Sequence, residues 1–352
     1  MIDWATFVFP CLHREPINGG HVVSIKPCGE VDWQSSKWAD LEGSHDSRIS
    51  FRTSTRSAEP CTHVEVSGNL SKLFQAHNLW GTDDLFGLIL DTINLLVQRF
   101  DLTPTDTDRD LWARGLIPLT RVDVTDSFRL GSRSEVLAWL RAAEQTAHLS
   151  HRGRGQLTKG TTLYFGKHSR RWSLKLYAKG QEIAAKGHEQ SVLARLPHAI
   201  AWADPILRAE LVLRGMELRR LGLGYLHEWA DLEGVPFEPL QLLRDRLGAM
   251  TMTTARTLPD DVLDSLTSGQ KTAYFAWLSG TDLRAVLSRP TFYRLRAKLL
   301  PHGIDVATLQ LAPEKSNVVP LVRVLEAVPA TIPDWAIGTA LYYEPLRRRV
   351  VR

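Results

Sequence analysis

Ser173-Leu174-Lys175-Leu176-Tyr177-Ala178-Lys179 alternates apolar with polar side chains. Residues two apart on a strand share a face, so Lys175, Tyr177 and Lys179 lie opposite Leu174, Leu176 and Ala178. Three further stretches repeat the pattern. In Arg121-Val-Asp-Val-Thr125, Arg121, Asp123 and Thr125 oppose two valines; in Ile206-Leu-Arg-Ala-Glu-Leu-Val-Leu213, Arg208 and Glu210 oppose leucine and alanine; in His63-Val-Glu-Val66, His63 and Glu65 oppose valine. If these four strands pair, their apolar faces rest on helices and the other face gathers Glu65, Asp123, Glu210, Tyr177 and Lys179. A sheet with one wet face carries polar residues there as a matter of course. Here they are three carboxylates, a tyrosine and cations, a set suited to a divalent ion and a phosphate. Oxygen-only donors favour Mg²⁺ or Mn²⁺ over zinc.

Outward from these stretches, strand patterns recur at 6–10, 21–26 and 161–166, and helix patterns at 70–77, 83–100, 132–147 and 181–195. Irregular mixing of the two predicts an α+β domain with an antiparallel sheet and helices on one face. From 236 the pattern is helical, at 240–247, 259–266, 270–278, 282–287 and 290–300. The expected division is therefore 1–235 and 236–352, with the boundary inside 230–258.

Hydrophobic residues make up 43% and charged residues 23% of the 352-residue chain, which excludes wholesale disorder. The most apolar run, 85–100, is broken by Asp91 and Asn94, as in an amphipathic helix of a soluble protein. The N-terminus lacks a secretory pattern, and three scattered cysteines imply reduced thiols, so a cytoplasmic protein without a membrane partner is expected. The net charge of +4 hints at an anionic partner.

The cations are unevenly placed. Between His151 and Lys179 stand Arg152, Arg154, Lys159, Lys167, Arg170, Arg171, Lys175 and Lys179, with no acid among them. A charge run is commonly a solvated face, but this one is interleaved with Tyr164, Trp172 and Tyr177, which suits single-stranded nucleic acid. Ser288-Arg289-Pro290-Thr291 reads as a helix start, and the helix that follows carries Arg289, Arg294, Arg296 and Lys298 against Phe292, Leu295 and Leu299. That is the pattern of a helix-turn-helix recognition helix, or of a plain helical bundle with a solvated face.

Residues 161–179 resemble the tyrosine motif of the filamentous-phage gene II replication initiators and of some rolling-circle plasmid initiators. Further segments resemble that family in the same order: Val64 to Leu85 with its His77-Asn78, Arg121-Val-Asp123, Arg208-Ala-Glu210, and Ser316-Asn-Val-Val-Pro-Leu-Val-Arg323 followed by Pro333-Asp-Trp335. The resemblance implies an enzyme with an HUH-endonuclease-like nickase core that starts rolling-circle replication of a circular single-stranded-DNA phage. Tyr177 would attack a phosphodiester at the plus-strand origin, leaving a 5′-phosphotyrosine and a free 3′-OH, and the reverse step would recircularise the strand. Its partners would be origin duplex and single-stranded DNA, with host helicase and replication proteins and a homodimer on DNA as further expectations. Larger relatives use a His-hydrophobe-His pair as metal ligands; none occurs here, so Glu65, Asp123 and Glu210 are the substitutes.

A phenol ionising near 10 is a poor nucleophile at neutral pH, so Lys179 is expected to stabilise the phenolate and a metal to polarise the phosphate. The plain alternative makes Tyr177 an ordinary strand tyrosine and the protein a DNA-binding regulator working through its helix-turn-helix. A hydrolytic nuclease would use the same carboxylates without a covalent link. Tyr164 is a second tyrosine to weigh, expected to stack or to brace.

Overall fold

The computed structural model describes residues 1–13, 16–17, 20–42, 48–54, 61–185, 190–230, 237–252, 260–302, 304–307 and 329–345. In chain order the first elements are β1 (Ile2–His13), β2 (His21–Ile25), β3 (Val31–Ser36), β4 (Ala39–Glu42), β5 (Arg48–Thr53) and β6 (Cys61–Gly68). Then come α1 (Leu70–Gln75), α2 (Leu85–Arg99), α3 (Asp106–Ala113), β7 (Leu119–Arg129), α4 (Arg133–Thr146), β8 (Ala147–Leu149), β9 (Gly153–Arg154) and β10 (Gln156–Thr158). The next group is β11 (Thr162–Phe165), β12 (Trp172–Ala178), α5 (Lys179–Ala184), α6 (Ser191–Ala194), α7 (Pro197–Ala203), β13 (Ile206–Arg214) and α8 (Gly215–Leu221). The chain closes with α9 (Pro239–Gly248), β14 (Met250–Met252), α10 (Asp260–Asp264), α11 (Ser268–Leu278), α12 (Leu283–Val286) and α13 (Arg289–Leu299).

Among the described residues nine strands form one sheet in the order β10-β11-β12-β13-β7-β1-β6-β5-β4, with every pairing antiparallel. The fold is α+β. The alternation seen in the sequence sorts the faces. Phe7, Val66, Val124, Leu174 and Leu211 lie in one buried core with Leu88, Ile93 and Leu96 of α2 and Val136, Trp139 and Leu140 of α4. Burying such side chains stabilises the fold by about 1.5–3 kcal/mol each.

The opposite face is roofed at one end, which the alternation alone does not foresee. Helix α1 ends at Ala76 in the left-handed region (φ 65), turning the chain into His77-Asn78-Leu79-Trp80. Leu79 and Trp80 form a second small core with Ile183, Leu193, Ala199, Ala203 and Ala336. The His77 Nε2 and Trp80 Nε1 groups both donate to the Leu341 carbonyl, at 2.9 and 2.8 Å. Residues 329–345 thus return to the first part of the chain, and Ala330 donates its amide to the Ser127 carbonyl.

Two core clusters bear on the division expected inside 230–258. Leu243 and Leu247 of α9 and Met250 belong to the core of the large sheet, and β14 pairs with β8. A separate core built from Leu266, Trp277, Leu283, Phe292, Leu295 and Leu299 begins after 260. Residues 231–236, 316–323 and 346–352 lie outside the described residues, so the motif at 316–323 is not placed. No helix among the described residues is long and apolar enough to cross a membrane.

Candidate functional site

Tyr177 lies near the end of β12, paired with Arg208 of β13, on the polar face. It is 3% exposed, with the Lys175 Nζ 4.1 Å from its ring centre. No hydrogen bond engages its hydroxyl among the described residues. Burial, and then the negative charge of Glu210, push its phenol well above the ordinary value of 10.0, despite Arg208. The tyrosine is therefore held protonated.

Its neighbours arrive from adjacent strands by register. Lys175 pairs with Glu210, and the two form an ion pair at 2.9 Å. Burial works against the Lys175 ammonium, but Glu210 outweighs it and raises its pKa. One strand further on, Asp123 is 2% exposed and accepts two bonds from Arg121, at 2.8 and 2.6 Å. Burial first, then Glu210 and Asp3, push the Asp123 carboxyl up to about 7, against the pull of Arg121.

Asp3 was not anticipated from the sequence. The pairing of β1 with β7 shifts between Ile2 and Trp4, so Asp3 and Trp4 stand opposite Asp123 alone. Ile2 and Ala5 enter the core, and the bulge turns both residues between them to the polar face. The Asp3 Oδ1 accepts from Asn69 Nδ2 at 2.8 Å and Asn78 Nδ2 at 3.2 Å. Strict alternation breaks where core residues stand three apart at 2 and 5; that spacing was the available signal.

Lys179 is not a strand residue. It opens α5 and is fully buried, its Nζ donating to Asn78 Oδ1 at 2.8 Å and Glu182 Oε2 at 2.7 Å. It stands 6.0 Å from the Tyr177 ring centre, farther than Lys175. Burial lowers its pKa to about 8, although Glu182 pulls it upward. Arg208, also fully buried, donates to Ser127 Oγ at 3.1 Å and to the Asn78 and Leu79 carbonyls, which pins the roof to the sheet.

The three carboxylates expected to share one Mg²⁺ or Mn²⁺ ion do not converge. Strand β1 intervenes between β6 and β7; Glu65 pairs with Val8 and Asp123 with Trp4. The two are therefore offset by about 13 Å along the strands and by two spacings, about 10 Å, across them. Glu65 instead holds Arg52 at 2.7 Å. Asp123 and Glu210 share a neighbourhood with Asp3, but their oxygens face Arg121, Lys175 and asparagine amides. No cluster of three metal-ligating side chains occurs among the described residues. As arranged, these residues do not fit a divalent ion. Glu65→Gln should accordingly change DNA nicking less than about threefold, whereas Glu210→Gln should lower it about a hundredfold, read as conversion of supercoiled to open-circular DNA.

The basic residues of 152–175 also spread out. Arg170 and Arg171 precede β12, about 20 Å from Tyr177 along the strand, and Lys167, just after β11, sets its Nζ against the Tyr164 ring. Arg152 stacks on Trp172 at 4.3 Å, with Arg246 at 4.8 Å from the same ring. Arg154 bonds Asp282, the N-cap residue of α12, at 3.2 Å. Lys175 alone of the expected DNA-binding cations touches the tyrosine ring.

On α13, Arg289 and Arg294 are exposed, while Arg296 makes bonds of 2.7 and 2.8 Å to Asp305 and Lys298 donates to the Ser265 carbonyl. Arg296→Ala should therefore lower stability by about 2 kcal/mol in denaturant unfolding. Arg294→Ala should leave stability unchanged and weaken duplex-DNA binding, with cleavage of a single-stranded oligonucleotide largely intact.

His77 ties the roof to the returning segment. Burial lowers its pKa to about 4, despite the bond to Leu341. The folded state holds it neutral, so its contribution is intact above the unfolded value of about 6.5 and is lost as pH falls toward 4. The melting temperature of the wild type should therefore drop more between pH 7 and pH 4.5 than that of His77→Gln.

The geometry defines an α+β protein with a tyrosine, lysine and carboxylate centre on the polar face of an antiparallel sheet. Residues 1–231 match the N-terminal family of the phage replication-associated gene II protein, and residues 258–344 match the C-terminal family of the same protein. The chain is 36% identical over 337 residues to the replication-associated gene II protein of Enterobacteria phage I2-2, covering 95% of this chain and 96% of that one. It belongs to this family of phage replication-associated proteins, the gene II-type initiators that its motifs resemble. A rolling-circle replication initiator protein from Geobacillus stearothermophilus aligns in structure over 70% of this chain and 95% of that one. The identity is 14% and the TM-score 0.25, too slight a likeness to support an inference.

Proposed function

We infer that the protein is a rolling-circle initiator that nicks and rejoins one strand of a phage replication origin through Tyr177. The observation that carries the reading is Tyr177 on the polar face beside the Lys175–Glu210 pair, its hydroxyl engaged by no hydrogen bond among the described residues, in a chain of the gene II-type family.

The chemistry follows from the charge balance. Lys175 is held by Glu210 while no DNA is bound. An entering phosphodiester competes for Lys175, and the released Glu210 carboxylate takes the phenolic proton. The Tyr177 oxygen then attacks phosphorus, the bond from phosphorus to the 3′ oxygen breaks, and that oxygen takes up the proton as a free 3′-OH. Lys175 stabilises the negative charge on the phosphoryl oxygens. Joining reverses these steps and needs no nucleotide, because the phosphotyrosine retains the bond energy. Asp3 and Asn78 position the roof over the site. Exposed Arg289 and Arg294 would attract origin duplex while the sheet handles the melted strand.

Burial of Tyr177 favours one rival, a regulator in which this tyrosine only packs. Incubation with supercoiled origin DNA, in Mg²⁺ and in Mn²⁺, separates them: a protein–DNA adduct that survives denaturation supports the initiator. Nicking without an adduct indicates a hydrolase, and no nicking the regulator.

A further inference from the structure

At the end of the polar face away from Tyr177, Arg214 of β13 stands in direct cross-strand register with Arg121 of β7. Like charges so placed repel, and a sheet tolerates them when something neutralises them. Arg121 has Asp123. Arg214 has no ion-pair partner among the described residues, and its Nη1 is buried without a hydrogen bond. Arg171, preceding β12, continues the row, its carbonyl accepting the Arg214 amide at 2.8 Å, and its side chain is exposed. Glu217, an acid of this end of the sheet, is already held by Arg220 and Arg246 at 2.6 and 3.1 Å.

The row runs on across the sheet as hydroxyls. Arg121 pairs with Thr6 and Thr6 with Ser67, whose hydroxyls are 2.7 Å apart. Above them Trp4 is half-buried and fixed in place: its indole N–H donates to Thr6 and Ser67, and the Arg121 guanidinium lies 5.1 Å from its ring centre. A cation with no ion-pair partner among the described residues, a hydroxyl row and an immobilised aromatic ring are the parts of a single-strand site, phosphate contacts with base stacking beside them. Arg214 is about 20 Å along β13 from Arg208, the partner of Tyr177, a span of a few nucleotides.

We propose that Arg171, Arg214 and Arg121, with Trp4, form a second binding site for single-stranded DNA, gripping the backbone a few nucleotides from the bond that Tyr177 attacks. The proposal rests on the initiator reading for its substrate strand. It is read by binding, so it stands or falls separately from the nucleophile.

The test measures fluorescence anisotropy of a labelled sixteen-nucleotide oligothymidylate with Tyr177→Phe protein over a range of salt concentrations. Adding Arg214→Ala should weaken binding about tenfold. It should also flatten the plot of log affinity against log salt by about 0.7. Arg214→Lys should restore most of both, and Arg171→Ala, at an exposed position, should flatten the slope without risk to folding. Trp4→Ala should weaken binding while leaving the slope unchanged, because stacking releases no counterion. Unchanged affinity and slope in both Arg214→Ala and Arg171→Ala would overturn the proposal. So would a loss confined to duplex DNA. A covalent adduct persisting in Tyr177→Phe would instead remove the nucleophile and leave these binding results to be judged alone.

Discussion

Tyr177→Phe is expected to lower nicking by at least about a thousandfold while leaving the melting temperature within a degree or two of wild type. Both halves follow from the same geometry. The ring fills a buried position under Lys175, and phenylalanine keeps that packing. The hydroxyl makes no hydrogen bond among the described residues, so its removal leaves no described partner unsatisfied. What disappears is the oxygen that would bond to phosphorus, and a residual rate could come only from water. Activity measured as open-circle formation, beside thermal unfolding of the same preparation, checks the two together. A large fall in stability would mean that the hydroxyl has a structural role, and the loss of activity could then not be assigned to chemistry.

Lys179→Met should be the most destabilising single change at the site, costing about 3–5 kcal/mol. The lysine is fully buried and bonded to Glu182 and Asn78. Burial works against the Glu182 carboxylate, and Lys179 outweighs it, holding the Glu182 pKa below the ordinary range. Removing the lysine would take from that carboxylate the buried cation that lowers its pKa, and from Asn78 Oδ1 one of its two donors, Gln190 Nε2 remaining at 3.0 Å. The double variant Lys179→Met/Glu182→Gln should recover much of the loss, because the buried carboxylate charge that Lys179 offsets is removed with it. If Lys179→Met instead folds as stably as wild type and only loses nicking, Lys179 acts in chemistry, as its place in the motif first implies. Denaturant midpoints of the two variants decide between these outcomes.

The legible part of the molecule was its two-residue periodicity. Val122 and Val124, Leu174 and Leu176, and Leu207, Ala209 and Leu211 all enter the core, and the polar residues between them share the other face. Strand order was not legible. His63-Val-Glu-Val66 alternates just as the other strands do, but nothing in it announces that β1 lies between it and Asp123, so alternation alone places Glu65 with residues it does not meet. Asp3 escaped for the converse reason: a bulge places consecutive residues on one face, against the rule that found the others. Lys179 fits the strand period but starts a helix, since alternation carries no stop signal. Burial of the polar face depends on His77 meeting Leu341, a contact between distant parts of the chain that no local pattern encodes.

The measurement that bears most directly on Tyr177 is peptide mapping of the covalent DNA adduct. Tyr164 is the informative competitor: it pairs with Lys175 on the neighbouring strand, is more exposed than Tyr177, and has the Lys167 Nζ 4.8 Å from its ring centre. Protein is incubated with supercoiled origin DNA, denatured and digested with nuclease and protease, and the nucleotide-bearing peptide is sequenced by mass spectrometry. The initiator reading predicts a 5′-phosphoryl link on Tyr177. A link on Tyr164, or nicked DNA with no linked peptide, would contradict it.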